Sequence, residues 1–171
     1  MRIFLFLSIG TALLLQAGCG GDDGRPADLP RLFPVQIEVI QGGSPLEGAV
    51  VTLISKTPAT YSTSSGTTNA SGVAVLRTHG FNGTPEGEYT VLITKEGSEN
   101  QTEARSLEGL PIMVGGQFYR YVDSQFATAS TSPLSLTVTA GSGTTRESFD
   151  VGAAVRTFVR NNPLPEGASD D

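Results

Sequence analysis

Apolar residues at every second position constrain this chain more than any other feature. Val35, Ile37 and Val39 alternate with Gln36 and Glu38; Tyr89, Val91 and Ile93 alternate with Thr90, Leu92 and Thr94. Leu134, Leu136 and Val138 alternate with Ser135, Thr137 and Thr139; Val73 and Val75 alternate with Ala74 and Leu76; Phe149 and Val151 flank Asp150. Successive strand side chains point to opposite faces, so this period buries one face of a sheet. The run Val50–Ile54 is apolar on both faces, as a central strand requires. No window carries a 3.6-residue apolar stripe, which excludes a helical core.

Turn chemistry separates these runs. Gly42-Gly43-Ser44-Pro45, Asn69-Ala70-Ser71-Gly72, Pro85-Glu86-Gly87 and Gly141-Ser142-Gly143 supply positive φ, fixed φ and self-bonding side chains. Many short strands punctuated this way predict an all-β sandwich or barrel. The span 33–151 is long enough for one such core without disulfides. Within it, 96–116 reads as a long connection with room for a short strand, the kind of segment on which a sandwich carries function. Beyond it, 152–171 reads as a disordered C-terminal tail.

Composition removes several function classes. The formal net charge is -6 and the pI about 4.7, which leaves no clustered base for nucleic acid. One Cys precludes an internal disulfide or a multi-thiolate metal site, and one His, His79, precludes any site needing two imidazoles. No cofactor and no metal are expected.

The amino terminus reads as an address. Arg2 precedes the apolar stretch Ile3–Leu15, which is short of the roughly 20 residues that span a bilayer as a helix. Leu15-Gln16-Ala17-Gly18-Cys19 then resembles the bacterial lipobox, with Gln16 where that pattern usually has Leu. The resemblance implies a diacylglycerol on Cys19 and cleavage just before it. A thiol is the nucleophile such an alkylation needs. Residues 1–18 are thus expected to be a lipoprotein signal peptide, and 19–32, rich in Gly, Asp and Pro, a flexible tether. Gly20, rather than Asp, after the cysteine favours the outer over the inner membrane, facing the periplasm or the cell surface.

Three stretches of the body resemble carboxypeptidase regulatory-like domains. They are Gly43-Ser44-Pro45-Leu46-Glu47-Gly48-Ala49-Val50-Val51-Thr52-Leu53, Gly66-Thr67-Thr68-Asn69-Ala70-Ser71-Gly72-Val73-Ala74 and Pro85-Glu86-Gly87-Glu88-Tyr89-Thr90-Val91. At the second, Asn69 and Ser71 stand where the family has acidic residues. A fourth, Phe126–Gly141, resembles the last part of small bacterial lipoproteins of this type, with Phe126 in place of a Tyr. The resemblance implies a single transthyretin-like (Ig-like, prealbumin-like) β-sandwich of about seven antiparallel strands over 33–151. It implies no catalytic residue.

Candidate chemistry is sparse. His79 closes a strand and reads as a loop residue. The pair Glu86 and Glu88 flanks a turn glycine and reads as a solvated edge, and Asp22-Asp23 and Asp170-Asp171 lie in the tails. The sequons at Asn69, Asn82 and Asn100 read as chance in a Ser/Thr-rich chain. The one local cluster is Phe118-Tyr119-Arg120-Tyr121, where aromatic faces suit stacking on a sugar and a guanidinium suits an anion. The expectation is a non-catalytic, lipid-anchored envelope protein with a structural or interaction role. Its partners would be the membrane, through the anchor, and an envelope protein or a glycan. The alternative is a glycan- or peptide-binding accessory module that uses Phe118–Tyr121 and the 96–116 segment.

Overall fold

The structure, a computed structural model, describes residues 24–105, 111–141 and 143–161. It is an all-β sandwich. One sheet runs in the order Ser135–Val138, Gly87–Thr94, Val50–Ser55, Thr63–Thr67, Arg77–Thr78, Phe81–Asn82. The facing sheet is built on Val35–Gln41, with Thr145–Asp150 on one side and Ser44–Pro45 and Val73–Val75 pairing with it as well. The alternation fills the space between them. Val35, Ile37 and Val39 from one sheet meet Val51, Leu53, Tyr89, Val91 and Ile93 from the other, all at most 1% exposed. The Val50–Ser55 strand is central, as its sequence requires, although Val50 on its outer face is 42% exposed. In the 73–76 run it is Ala74 and Leu76 that face inward, while Val75 is 50% exposed.

The turn residues hold the two sheets together. Asn69 Oδ1 accepts from the backbone N–H of Ser71 and of Val73, at 2.9 and 3.0 Å, closing the turn before the chain enters the second sheet. The neighbouring Thr68 is buried; its Oγ1 donates to the Leu46 carbonyl at 2.6 Å and accepts from the Ala49 N–H at 2.8 Å. Gly66 lets two strands touch, since a Cβ there would sit 2.5 Å from the Val75 carbonyl oxygen. The buried Tyr89 hydroxyl donates to the Pro85 carbonyl at 2.9 Å, so its polar end is satisfied in the core.

Four features depart from the sequence reading. The Thr145–Asp150 strand pairs parallel to Val35–Gln41, because the chain returns to the Pro34 end of the sandwich before entering it. The 96–116 connection is the greater part of a long antiparallel hairpin: Glu96–Glu99 pairs with Gln117–Arg120, and Thr102–Arg105 pairs with Pro111–Val114 in the same register. Positive φ at Asn100, Gly115 and Gly116 interrupts the ladder between these segments. The expected disordered tail contains a strand, Thr157–Asn161, because Gln117–Arg120 offers it a second edge and aromatic partners. The expected flexible tether is docked over its described part. Leu29 is buried, and Leu32–Phe33 pairs with Thr84–Pro85. Among the described residues no helix is long and apolar enough to cross a membrane. The apolar stretch Ile3–Leu15, Cys19 and Asp170-Asp171 lie outside the described residues.

Candidate functional site

The four residues singled out in the sequence lie together at the base of the hairpin. Gln117–Arg120 is the middle strand of a three-stranded sheet, between Glu96–Glu99 and Thr157–Asn161. Alternation sends Phe118 and Arg120 to one face and Tyr119 to the other, with Tyr121 next in line. A register shift between Phe118 and Tyr119 sets Phe118 opposite Arg160 and Tyr119 opposite Phe158.

The first face is occupied by paired groups. Arg120 Nη2 donates to Glu96 Oε1 across the strand at 3.1 Å, and the Arg160 guanidinium lies 4.6 Å above the Phe118 ring centre. The second face is a brace centred on Glu99. Its carboxylate accepts from Arg156 Nη2 at 2.6 Å, Arg156 Nε at 3.2 Å and the Tyr121 hydroxyl at 2.6 Å. The same Arg156 guanidinium lies 3.6 Å from the centre of the Tyr119 ring, which meets Phe158 edge-on at 5.9 Å. Tyr121 lies over Gly97, where a Cβ would approach its ring to 3.1 Å. Gln41 Nε2 ties the brace to the sandwich by donating to the Tyr121 carbonyl at 2.8 Å.

These contacts account for the electrostatics. The Arg156 guanidinium, and then the Tyr121 hydroxyl, hold the Glu99 carboxyl down at about 2. The Glu99 carboxylate in turn raises the Tyr121 phenol and the Arg156 guanidinium above their ordinary values. Arg156 is about half exposed and Glu99 about a third, at 53% and 35%, so salt screens the pair. The guanidinium offered by the sequence as an anion holder, Arg120, is thus already committed to Glu96. Tyr119 is 8% exposed and has little face left for a sugar.

Sequence reasoning missed the partners of this cluster: Glu96, Glu99, Arg156, Phe158 and Arg160. The signal available was Phe158 between two arginines in a stretch otherwise read as tail.

The remaining sequence candidates sit apart. His79 is exposed in the two-residue loop between Arg77–Thr78 and Phe81–Asn82. His79 and Gly80 have φ of 52° and 85°, the signature of a type I′ hairpin turn, and the imidazole meets Tyr61 edge-on at 5.3 Å. Glu86 and Glu88 are exposed, with Glu88 3.8 Å from Lys56. Phe126 is a core residue in the short helix Ser124–Ala127. Among the described residues no group of three or more His, Cys, Asp or Glu side chains is placed to hold a metal ion.

No protein-family model matches the chain, and no curated protein does either. Two solved structures resemble it. One is the major pilin subunit of Bacillus cereus, with 12% identity and a TM-score of 0.39 over 75% of this chain and 31% of that one. The other is a candidate adhesin from Bacteroides ovatus, with 14% identity and a TM-score of 0.41 over 73% of this chain and 45% of that one. The matched region therefore spans less than half the length of either structure. The molecule is an all-β sandwich bearing a braced hairpin.

Proposed function

We propose that this chain is a non-catalytic cell-envelope protein, anchored by lipid on Cys19, in which the sandwich supports the braced hairpin in a structural or interaction role. The brace carries the non-catalytic part of this reading. Glu99 receives three donors, Arg120 and Arg156 each hold a carboxylate, and Arg156 and Arg160 each lie over a ring. With the Arg156 guanidinium holding the Glu99 carboxyl at about 2, that carboxylate is too weak a base to activate the Tyr121 hydroxyl beside it, and the contacts stiffen a projection. The anchor rests on the sequence: the only cysteine follows small residues behind a short apolar stretch. The finer assignment, to a transthyretin-like sandwich of the carboxypeptidase regulatory-like kind, is supported by its turn residues. Gly48 and Gly72 both adopt positive φ within the resembling stretches.

Two or more acyl chains hold a protein stably on a membrane. Cys19→Ser should therefore move the protein from the membrane fraction to the soluble fraction, or leave it uncleaved, with no lipid adduct. Unchanged membrane fractionation without an adduct in the wild type would remove the anchor. Retention on cell-wall glycan that is lost in Tyr119→Ala or Tyr121→Ala would replace the structural role with glycan binding.

A further inference from the structure

Composition makes 19–32 a free tether, yet the structure docks its second half. Leu29 is 7% exposed and its N–H donates to the Pro26 carbonyl at 3.1 Å. Arg25 Nη2 donates to the Pro30 carbonyl at 2.8 Å, and Asp28 Oδ1 accepts from the Tyr61 hydroxyl at 2.8 Å. Leu32 and Phe33 pair with Pro85 and Thr84. Gly83 is shaped to this approach: a Cβ there would lie 2.8 Å from the Phe33 carbonyl oxygen and 3.0 Å from the Leu32 Cβ.

Register fixes where this segment sits relative to the hairpin. Only Glu86 separates Pro85 from the Gly87–Thr94 strand, and that strand runs eight residues, roughly 25 Å, to the far end of the sandwich. There Lys95 accepts from the Tyr121 N–H at 2.8 Å, and the hairpin begins. The Val35–Gln41 strand runs the same way: Pro34 lies beside Thr145 at its start, and Gln41 reaches Tyr121 at its finish. The amino-terminal segment and the hairpin therefore leave from opposite ends.

We infer that Arg25–Phe33 is a fixed collar that shortens the lipid leash, so that the Leu32–Pro85 end of the sandwich faces the membrane and the hairpin is presented away from it. The membrane half of this inference rests on the proposed lipid at Cys19; the collar does not. Fully extended, 19–32 could reach about 50 Å, whereas Cys19 to Arg25 reaches only about 20 Å. A partner of the hairpin would then be met on the side of the protein away from the bilayer that anchors it.

Two measurements separate the collar from the anchor. In the soluble full chain carrying Cys19→Ser, amides of 29–33 should exchange at least about tenfold more slowly than those of an unstructured chain. The added pair Asp28→Ala and Leu29→Ser should remove that protection. Free-chain exchange of 29–33 would overturn the collar. In the second measurement, the lipidated full chain is placed in phosphatidylethanolamine–phosphatidylglycerol vesicles with a headgroup energy acceptor. A single donor dye is attached at Glu86→Cys, Glu47→Cys or Glu103→Cys, since the lone native thiol carries the lipid. Transfer should be strong from Glu86, weaker from Glu47 and several-fold weaker from Glu103. Equal or reversed transfer with the dyes on vesicles would overturn the orientation. Failure of the wild type to join vesicles at all would overturn the anchor, and the membrane half of the inference with it, while the exchange data still decide the collar.

Discussion

Removing the Thr68 hydroxyl should destabilise the sandwich by about 3 kcal/mol. Thr68 is 3% exposed, and its Oγ1 satisfies the Leu46 carbonyl at 2.6 Å and the Ala49 N–H at 2.8 Å. Leu46 and Ala49 are 7% and 0% exposed, so water cannot easily replace the lost partner. Thr68→Val keeps the branched shape and strands both groups, each at about 1–3 kcal/mol. Thr68→Ser keeps the oxygen and loses only a methyl, at about 1 kcal/mol. At about 2–4 °C per kcal/mol for a chain of this size, the valine variant should melt roughly 10 °C lower. The assay is urea unfolding followed by far-UV circular dichroism, because the chain has no tryptophan to report by fluorescence. The denaturant slope should be unchanged and the midpoint shifted. A valine variant within about 0.5 kcal/mol of wild type, or a serine variant that costs as much as the valine one, would refute the assignment of this hydroxyl as the link between the two loops.

Three further outcomes are expected. Gly66→Ala forces a Cβ to 2.5 Å from the Val75 carbonyl oxygen, and should cost about 1–3 kcal/mol in the same unfolding assay. His79→Asn should be tolerated at φ 52°, whereas His79→Val should cost about 1–2 kcal/mol, read as a lower melting temperature; equal behaviour would show that the turn is not held in the left-handed region. The Glu99 carboxyl is held at about 2 against an ordinary 4.5, so its contribution to the brace is full above about 4.5 and is lost as pH falls towards about 2. Protection factors of the 157–161 amides, taken relative to the intrinsic exchange rate at each pH, should fall over that window in the wild type, and Glu99→Gln should abolish this acid dependence.

Much of the fold was legible because burial follows period two. Every alternating position named in Val35–Val39 and Tyr89–Ile93 is in the core, since a one-residue slip would put the whole set in water. The turns at Asn69 and Gly72 were legible because their chemistry is local. What stayed hidden depends on distant partners. Thr157–Asn161 has only one apolar side chain that is not exposed, Val159, so nothing in its own sequence demands a sheet; Tyr119 and Phe118 supply the reason. The docked collar was hidden likewise, because Gly, Pro and Asp are read as flexible whether or not a Tyr61 hydroxyl waits for them. At the site, Phe118–Tyr121 was recognised as a cluster, but its role changes once Glu96, Glu99 and Arg156 are seen to occupy it. Sequence adjacency finds the rings; only cross-strand register finds what they touch.

The proposed envelope role depends on the proposed lipid at Cys19. Mass spectrometry of the amino-terminal peptide from protein purified out of its native membranes tests it most directly. The expected peptide begins at Cys19 and carries a diacylglycerol thioether on that residue. A free Cys19 thiol, or an amino terminus at any other residue, would contradict it.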